Sequence, residues 1–212
     1  MTDWMTEDLV PLKVSCTRSD CDNGLHCYLA TAKMVREETA GRCRSCGISL
    51  VDWGRIHGRD YSDVAFTFQC MRTEFIRHHF WHLEIDDEAI EHATKKGMTA
   101  LLESVPKRLL QSIAKAQPFR DGTQTPFQGR AVYYAQHATA TCCRRCVEEW
   151  HGIPKGRALT NEEVSYLAQL IVRYLQERLK GIPEVGTGPA RRKRREEPPL
   201  LRGRSDHNAA DY

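Results

Sequence analysis

Apolar residues recur at helical spacing through the middle of the chain. Val64, Phe68, Met71 and Phe75 follow Ser62, a residue suited to cap a helix start. Asp86 or Asp87 opens a second helical segment that runs to Lys96 and stops at Gly97. A third pattern covers Thr99 to Ala116, with Pro106 in its interior, where a proline breaks or kinks a helix. Pro118 to Arg130 (PFRDGTQTPFQGR) is polar and punctuated by Asp-Gly, Pro and Gly, which predicts turns. The short apolar and aromatic run Ala131 to Ala135 reads as a strand. Thr160 and Glu163 make a capping box. Val164, Leu167, Ala168, Ile171 and Leu175 then line one face of a last helix, which Gly181 and Pro183 end.

These patterns predict an α+β protein in three regions. Residues 1–60 form a small zinc-ribbon-like, Cys-rich module. Residues 61–180 form a mainly helical domain with a short strand, stapled by a second Cys/His metal site. Residues 181–212 form a basic tail, rich in Gly, Pro and charge, with too little apolar surface to order itself.

Composition changes this picture in two respects. The chain has 212 residues, 41% hydrophobic and 28% charged, enough for a core. No apolar run approaches the roughly 20 residues of a membrane span. The stretch Met1 to Val10 carries three acids and no basic segment before an apolar run, unlike a secretory signal. The expectation is a cytoplasmic protein with no membrane partner. The net charge of +3 is unevenly placed, with seven Lys/Arg and five Asp/Glu from Gly181 onward, so the rest is nearly neutral. That disfavours a strongly electrostatic nucleic-acid binder.

Nine cysteines are more than a reducing compartment needs as core filler, and an odd number cannot all pair. Cys70 and Cys27 read as small buried hydrophobes. The others fall into two constellations. In the first, Cys43 and Cys46 form a CxxC followed by Gly47, and Cys16 and Cys21 offer a second pair upstream. Four thiolates suit a tetrahedral structural zinc, with His26 or Cys27 as possible replacements for Cys16 or Cys21. No βαβ pattern surrounds the CxxC, which argues against a thioredoxin-like role. In the second, His137, Cys142, Cys143, Cys146 and His151 offer up to five ligands in AQHATATCCRRCVEEWHG. Mixed Cys/His coordination suits zinc, and the same thiols can hold an iron–sulfur cluster. A nucleobase-deaminase reading fails, because Ala138 and Thr139 follow His137 where that motif needs a Glu.

Other residues carry weaker signals. His78 and His82 lie one helical turn apart, and with Glu84, Asp86 or His92 they are candidates for a catalytic metal. Gln124 or Thr125 would then orient a substrate. The pattern lacks the Glu of a zincin. Trp53, Arg55 and Arg59, with the run Arg191, Arg192, Lys193, Arg194 and Arg195, are the candidate nucleic-acid contacts.

The strings DGTQTPFQG, AQHATATCCRRC and WHGIPKG, with the looser EHATKKG upstream, resemble a bacterial family of domains of unknown function over about residues 90–159. That family has a His-Pro pair after the glycine, where this chain has Arg130 and Ala131. The resemblance implies a domain and no activity. The function expected is a zinc-binding module, holding two ions, that contacts nucleic acid or protein. The alternatives are a metal-dependent hydrolase or nuclease using the histidines, and an iron–sulfur or redox sensor.

Overall fold

The computed structural model describes residues 15–188. Their order is α1 (Ala32–Arg36), α2 (Trp53–His57), α3 (Val64–Met71), α4 (Phe75–His82), α5 (Asp87–Lys96), α6 (Met98–Glu103), α7 (Val105–Ser112), α8 (Ala131–Ala138), α9 (Arg144–His151) and α10 (Asn161–Arg178). Two of the cap signals carry through to the structure, whereas the first pattern splits into α3 and α4, and Asp63 rather than Ser62 precedes α3. Thr160 and Glu163 close the capping box of α10 reciprocally. Asp86 caps α5 by accepting from the Ala89 N–H. The third pattern breaks in two, with Pro106 in the first turn of α7, where its missing N–H costs nothing.

The α+β expectation is overturned. Among the described residues the protein is mainly helical with no sheet, and the β structure is two isolated bridges, Asp20 to Leu25 and His26 to Glu74. The predicted strand at Ala131 is instead the start of α8. That helix is buried on almost every side, from Ala131 through Ala138 with only Tyr133 less so. A short run buried all round shows no amphipathic period, so periodicity cannot tell strand from helix there. No zinc ribbon forms either. The N-terminal segment has too little alternation for a sheet, and its backbone bonds run to the helical core. The Thr73 carbonyl accepts from His26 N–H, and the His26 carbonyl accepts from Phe75 N–H. Glu149 on α9 accepts from the Ala30 N–H at 2.9 Å.

Two apolar clusters result. The larger fills the space between α4, α8, α7 and α10, with Phe80, Tyr134, Leu109, Leu167, Ile171 and Tyr174 at its centre. The smaller joins Tyr28, Ile56, Met71 and Trp150 to Cys43, Cys142, Cys143 and Cys146. Cys70 and Cys27 are both buried. Residues 183–188 fold back on the α5–α6 junction, where the Pro183 carbonyl accepts from Met98 N–H at 2.8 Å and Gly188 N–H donates to Lys95 at 2.9 Å. Gly97 sits there at φ +78°, and a Cβ on it would meet the Gly186 backbone nitrogen at 2.2 Å. The rest of the predicted tail, including Arg191 to Arg195, lies outside the described residues.

Candidate metal centres

The first centre is built by three short pieces of chain. A 3₁₀ turn at Cys21–Asn23 carries Cys21, the bridge to Glu74 fixes His26, and the knuckle Cys43–Gly47 supplies Cys43 and Cys46. The four donor atoms of Cys21, His26, Cys43 and Cys46 lie within 4.8 Å of one another. Cys21 Sγ and Cys43 Sγ are 3.7 Å apart, and Cys46 Sγ and His26 Nδ1 are 3.5 Å apart. A tetrahedral zinc with Zn–S near 2.3 Å and Zn–N near 2.05 Å has edges of about 3.8 Å and about 3.6 Å. These two edges therefore have the length of those in a zinc tetrahedron.

The knuckle is made for thiolates. Gly47 takes φ +77°, which lets its N–H return to the Cys43 carbonyl at 2.8 Å. Burial raises the Cys43 thiol, but backbone N–H groups of Cys27, Cys46 and Ser45 and the His26 ring outweigh it and hold the group down to about 6. Burial and the neighbouring Cys46 and Cys43 thiols push Cys21 up to about 11. Cys16, paired with Cys21 in the sequence reading, is not in this group, and His26 is.

The second centre lies at the start of α9. Cys142, Cys143 and Cys146 are all buried and mutually within 4.8 Å. The turn that delivers them, Thr139 to Thr141, is fully buried, and its threonines satisfy the backbone. Thr139 Oγ1 donates to the Ala135 carbonyl at 2.7 Å, Gln136 Nε2 to the Thr141 carbonyl at 3.0 Å, and Thr125 Oγ1 to the Cys142 carbonyl at 2.9 Å. Asp121 Oδ1 accepts from the Arg144 N–H at 3.1 Å and so covers the helix start. The DGTQTP loop thus braces the cysteine turn, which places Thr125 and Gln124 as supports.

Cys146 is held well below the ordinary thiol value, first by hydrogen bonds from Cys142, Cys143 and Cys16 against the cost of burial, and then by Arg77. Its partners move the other way. Cys142 is raised because it gives its proton toward Cys143 and Cys146. Arg77, buried on α4, donates through Nη2 to Cys146 Sγ at 3.2 Å, through Nε to Glu74 Oε2 at 3.0 Å and through Nη1 to the His137 carbonyl. Glu74 Oε2 also accepts from Trp150 Nε1 at 2.6 Å. Glu74 and Arg77 were absent from the sequence reading. Their signal was an acid and an Arg spaced i,i+3, too common on helices to single out.

The two histidines flanking the second centre sit elsewhere. His137 stacks against both Phe80 and Phe127, with centroids 4.4 Å and 4.8 Å away, and its Nε2 faces the Thr125 and Pro126 carbonyls. His151 Nε2 faces the Thr139 carbonyl at 3.0 Å, and its Nδ1 is buried without a partner. Burial pushes His137 down to about 4 and His151 down to about 3. The unfolded chain therefore binds more protons than the folded one below about pH 6.5. The stability these neutral rings provide is complete above that pH and is lost as pH falls toward 3–4. Each should contribute a slope of about 1.4 kcal/mol per pH unit in that window. Urea denaturation of His151→Gln should show a shallower loss between pH 6.5 and pH 4.5 than the parent. Equal slopes would contradict the assignment.

The third cluster does not converge. His78 and His82 have ring centroids 4.1 Å apart, but His82 Nδ1 bonds the His78 carbonyl at 2.9 Å. Among the described residues, no group of three or more metal-capable side chains includes His78, His82 or His92. Asp86 is occupied, capping α5 and accepting from Tyr134 at 2.6 Å and Gly129 N–H at 2.8 Å. Of the nucleic-acid candidates, Trp53 donates to the Gly41 carbonyl at 2.8 Å and packs on Tyr28 and Trp150. Arg55 pairs with Asp63 at 2.6 Å, and Arg59 bonds the His151 carbonyl at 3.0 Å. The Arg55 side chain stays half-exposed, and Trp53 and Arg59 are part-buried.

What the fold and sites define is a helical domain carrying two Cys/His-rich clusters that can hold metal ions, in which no described helix is long and apolar enough to cross a membrane. The chain belongs to the family described as Domain of unknown function (DUF4186), whose model matches residues 65–176. No solved structure matches it.

Proposed function

We propose that this protein is a binding module whose scaffold is stapled by two structural zinc ions, one at Cys21, His26, Cys43 and Cys46 and one at Cys142, Cys143 and Cys146. The observation that carries the reading is the first centre, whose donor separations of 3.7 Å and 3.5 Å match the edges of a zinc tetrahedron. Four protein ligands fill a tetrahedral ion, which leaves no position for water or substrate and makes the site structural. The second centre is enclosed by Trp150, Arg77 and the DGTQTP loop, which also suits a structural ion.

The partner surface then lies around the first knuckle. Arg42 and Arg44 line a groove with Lys33, Glu37 and Thr39, Lys33 pairing with Glu37 at 3.8 Å, and Val35, Ile48 and Leu50 are exposed apolar residues on the same two segments. A basic rim with apolar residues suits a nucleic-acid strand or an acidic protein segment.

Cobalt substitution tests the reading. A closed tetrahedral site gives a thiolate–cobalt spectrum that added azide or cyanide leaves unchanged. A spectrum that shifts with azide would reveal an open position and favour a catalytic metal. Gel shifts with single-stranded RNA and DNA at low salt test the nucleic-acid half, and binding that survives Arg42→Ala with Arg44→Ala would remove the groove from it.

A further inference from the structure

Apart from the two metal centres, a groove opens between α7 and the turn that follows it, lined by Arg108, Gln111, Ser112, Phe119, Arg120 and Thr123. The Phe119 ring is 82% exposed, and the Arg120 guanidinium lies over it, 5.2 Å from its centroid. Arg120 holds φ +54°, a left-handed conformation that residues with a Cβ disfavour. Its carbonyl accepts from the Thr123 N–H at 2.9 Å and from Thr123 Oγ1 at 3.2 Å, which closes the turn on itself. The turn is also braced from beneath, where Asp121 Oδ1 accepts from the Arg144 N–H at 3.1 Å and from Gln124 Nε2 at 2.9 Å. A fixed turn thus presents an uncovered aromatic face to solvent.

The charged residues lining the groove are both arginines. Arg108 donates through Nε to Gln136 Oε1 at 3.1 Å and through Nη2 to the Gln124 carbonyl at 3.2 Å, and its guanidinium lies 4.9 Å over the Tyr133 ring. Among the described residues neither Arg108 nor Arg120 pairs with a carboxylate. Asp121, beside Arg120 in the chain, directs Oδ1 to the start of α9 and to Gln124.

We infer that this groove binds single-stranded nucleic acid, with an unpaired base stacked on Phe119 and the adjacent phosphates held by Arg108 and Arg120. Every base has a π-face, and an exposed ring beside arginines is suited to stack one. Gln111, exposed on the α7 wall, offers an amide donor and acceptor to a base edge. A duplex keeps its base faces covered, so the ring selects an unpaired strand. An acidic peptide would satisfy the arginines and leave the ring without a stacking partner. The folded part is nearly neutral, which disfavours binding by charge alone, and stacking supplies a term that charge does not. The inference goes beyond the proposed function. It shares no residue with the groove of Arg42 and Arg44 and does not rest on the zinc reading.

Fluorescence anisotropy on the full chain tests this, with labelled oligouridylate and oligothymidylate of about 10 nucleotides and a duplex of the same length. The expected result is that the single strands bind and the duplex binds more weakly. Phe119→Ala should weaken single-strand binding by about 5- to 150-fold, the range for loss of one stacked base, whereas Phe119→Trp retains it. Because the ring is exposed, its removal leaves the fold in place, which circular dichroism checks. Arg120→Ala should lower the slope of log Kd against log salt by about 0.7, the loss of one single-strand phosphate contact. Binding unchanged in both alanine variants and abolished by Arg42→Ala with Arg44→Ala would move the strand to the first knuckle and overturn the inference. Phe119-dependent binding of a polyglutamate peptide, with neither oligonucleotide bound, would overturn it by making the groove a peptide site. No binding of any probe at low salt would overturn it too, and the cobalt spectra would still judge the zinc reading separately.

Discussion

Chelation is expected to unfold residues 15–51 and to loosen the cluster around Trp150, with a large red shift of tryptophan emission. Beyond Tyr28 in the small core and the backbone bonds of His26 and Ala30, the segment has little else to hold it. Its buried apolar residues are Cys27, Tyr28, Leu29, Cys43 and Val51, and its one described α-helix, α1, is five residues long with none buried. An isolated helix of that length is not stable. Structural zinc in small domains supplies about 10–16 kcal/mol of apparent binding free energy, which is then folding free energy. Tyr28, Trp53 and Trp150 report on it directly, since Trp53 and Trp150 have centroids 5.1 Å apart and Tyr28 and Trp150 5.8 Å apart. Cys43→Ser should mimic chelation, because Cys43 is the buried thiol of the first centre. Fluorescence that is indifferent to chelator, in protein shown to lose its metal, would mean that the segment folds without it.

Replacing Arg77 by Met should cost about 3–5 kcal/mol, the range for removing one partner of a buried ion pair. The Arg77 and Glu74 side chains are both 3% exposed, so neither charge can turn to water. Burial pushes the Glu74 carboxyl up, with Arg77, Trp150 and their hydrogen bonds opposing it. Without the guanidinium, Glu74 and the Cys146 thiolate face each other in an apolar cluster. Arg77→Lys keeps the charge but not three donors aimed at Glu74, Cys146 and the His137 carbonyl, so its loss should fall between parent and Arg77→Met. Urea denaturation with metal held saturating measures both. A loss below about 1 kcal/mol for Arg77→Met, the scale of an exposed pair, would contradict this role.

The helices with amphipathic faces and caps were legible in the sequence. Thr160, Asp86, Gly97 and Pro106 each act locally, so their effects follow from a few neighbouring residues. Helix α8 was not legible, because AVYYA is apolar throughout and its environment, not its pattern, decides its form. The cysteines were legible as two clusters that could hold a metal, with Cys21, Cys43 and Cys46 in one and Cys142, Cys143 and Cys146 in the other, and not in every member. The spacing of Cys16 and Cys21 suggested one site, but which side chains meet is set by where the chain docks, here with His26 bridged to Glu74 and placed beside Cys46. Glu74 and Arg77 were invisible for the same reason. Their importance comes from burial beside Cys146, which no local pattern encodes. Trp53 and Arg59 add a further tie that no local pattern encodes, bonding the Gly41 and His151 carbonyls.

The central claim is the proposal that this protein holds two structural zinc ions, the first of them in a closed four-ligand site. Elemental analysis with an absorption spectrum, on protein purified without added metal or chelator, tests it most directly. The account predicts two zinc ions per chain and no visible absorption. Folded protein with no bound metal would contradict it, and so would iron with the visible absorption of a sulfur-ligated cluster.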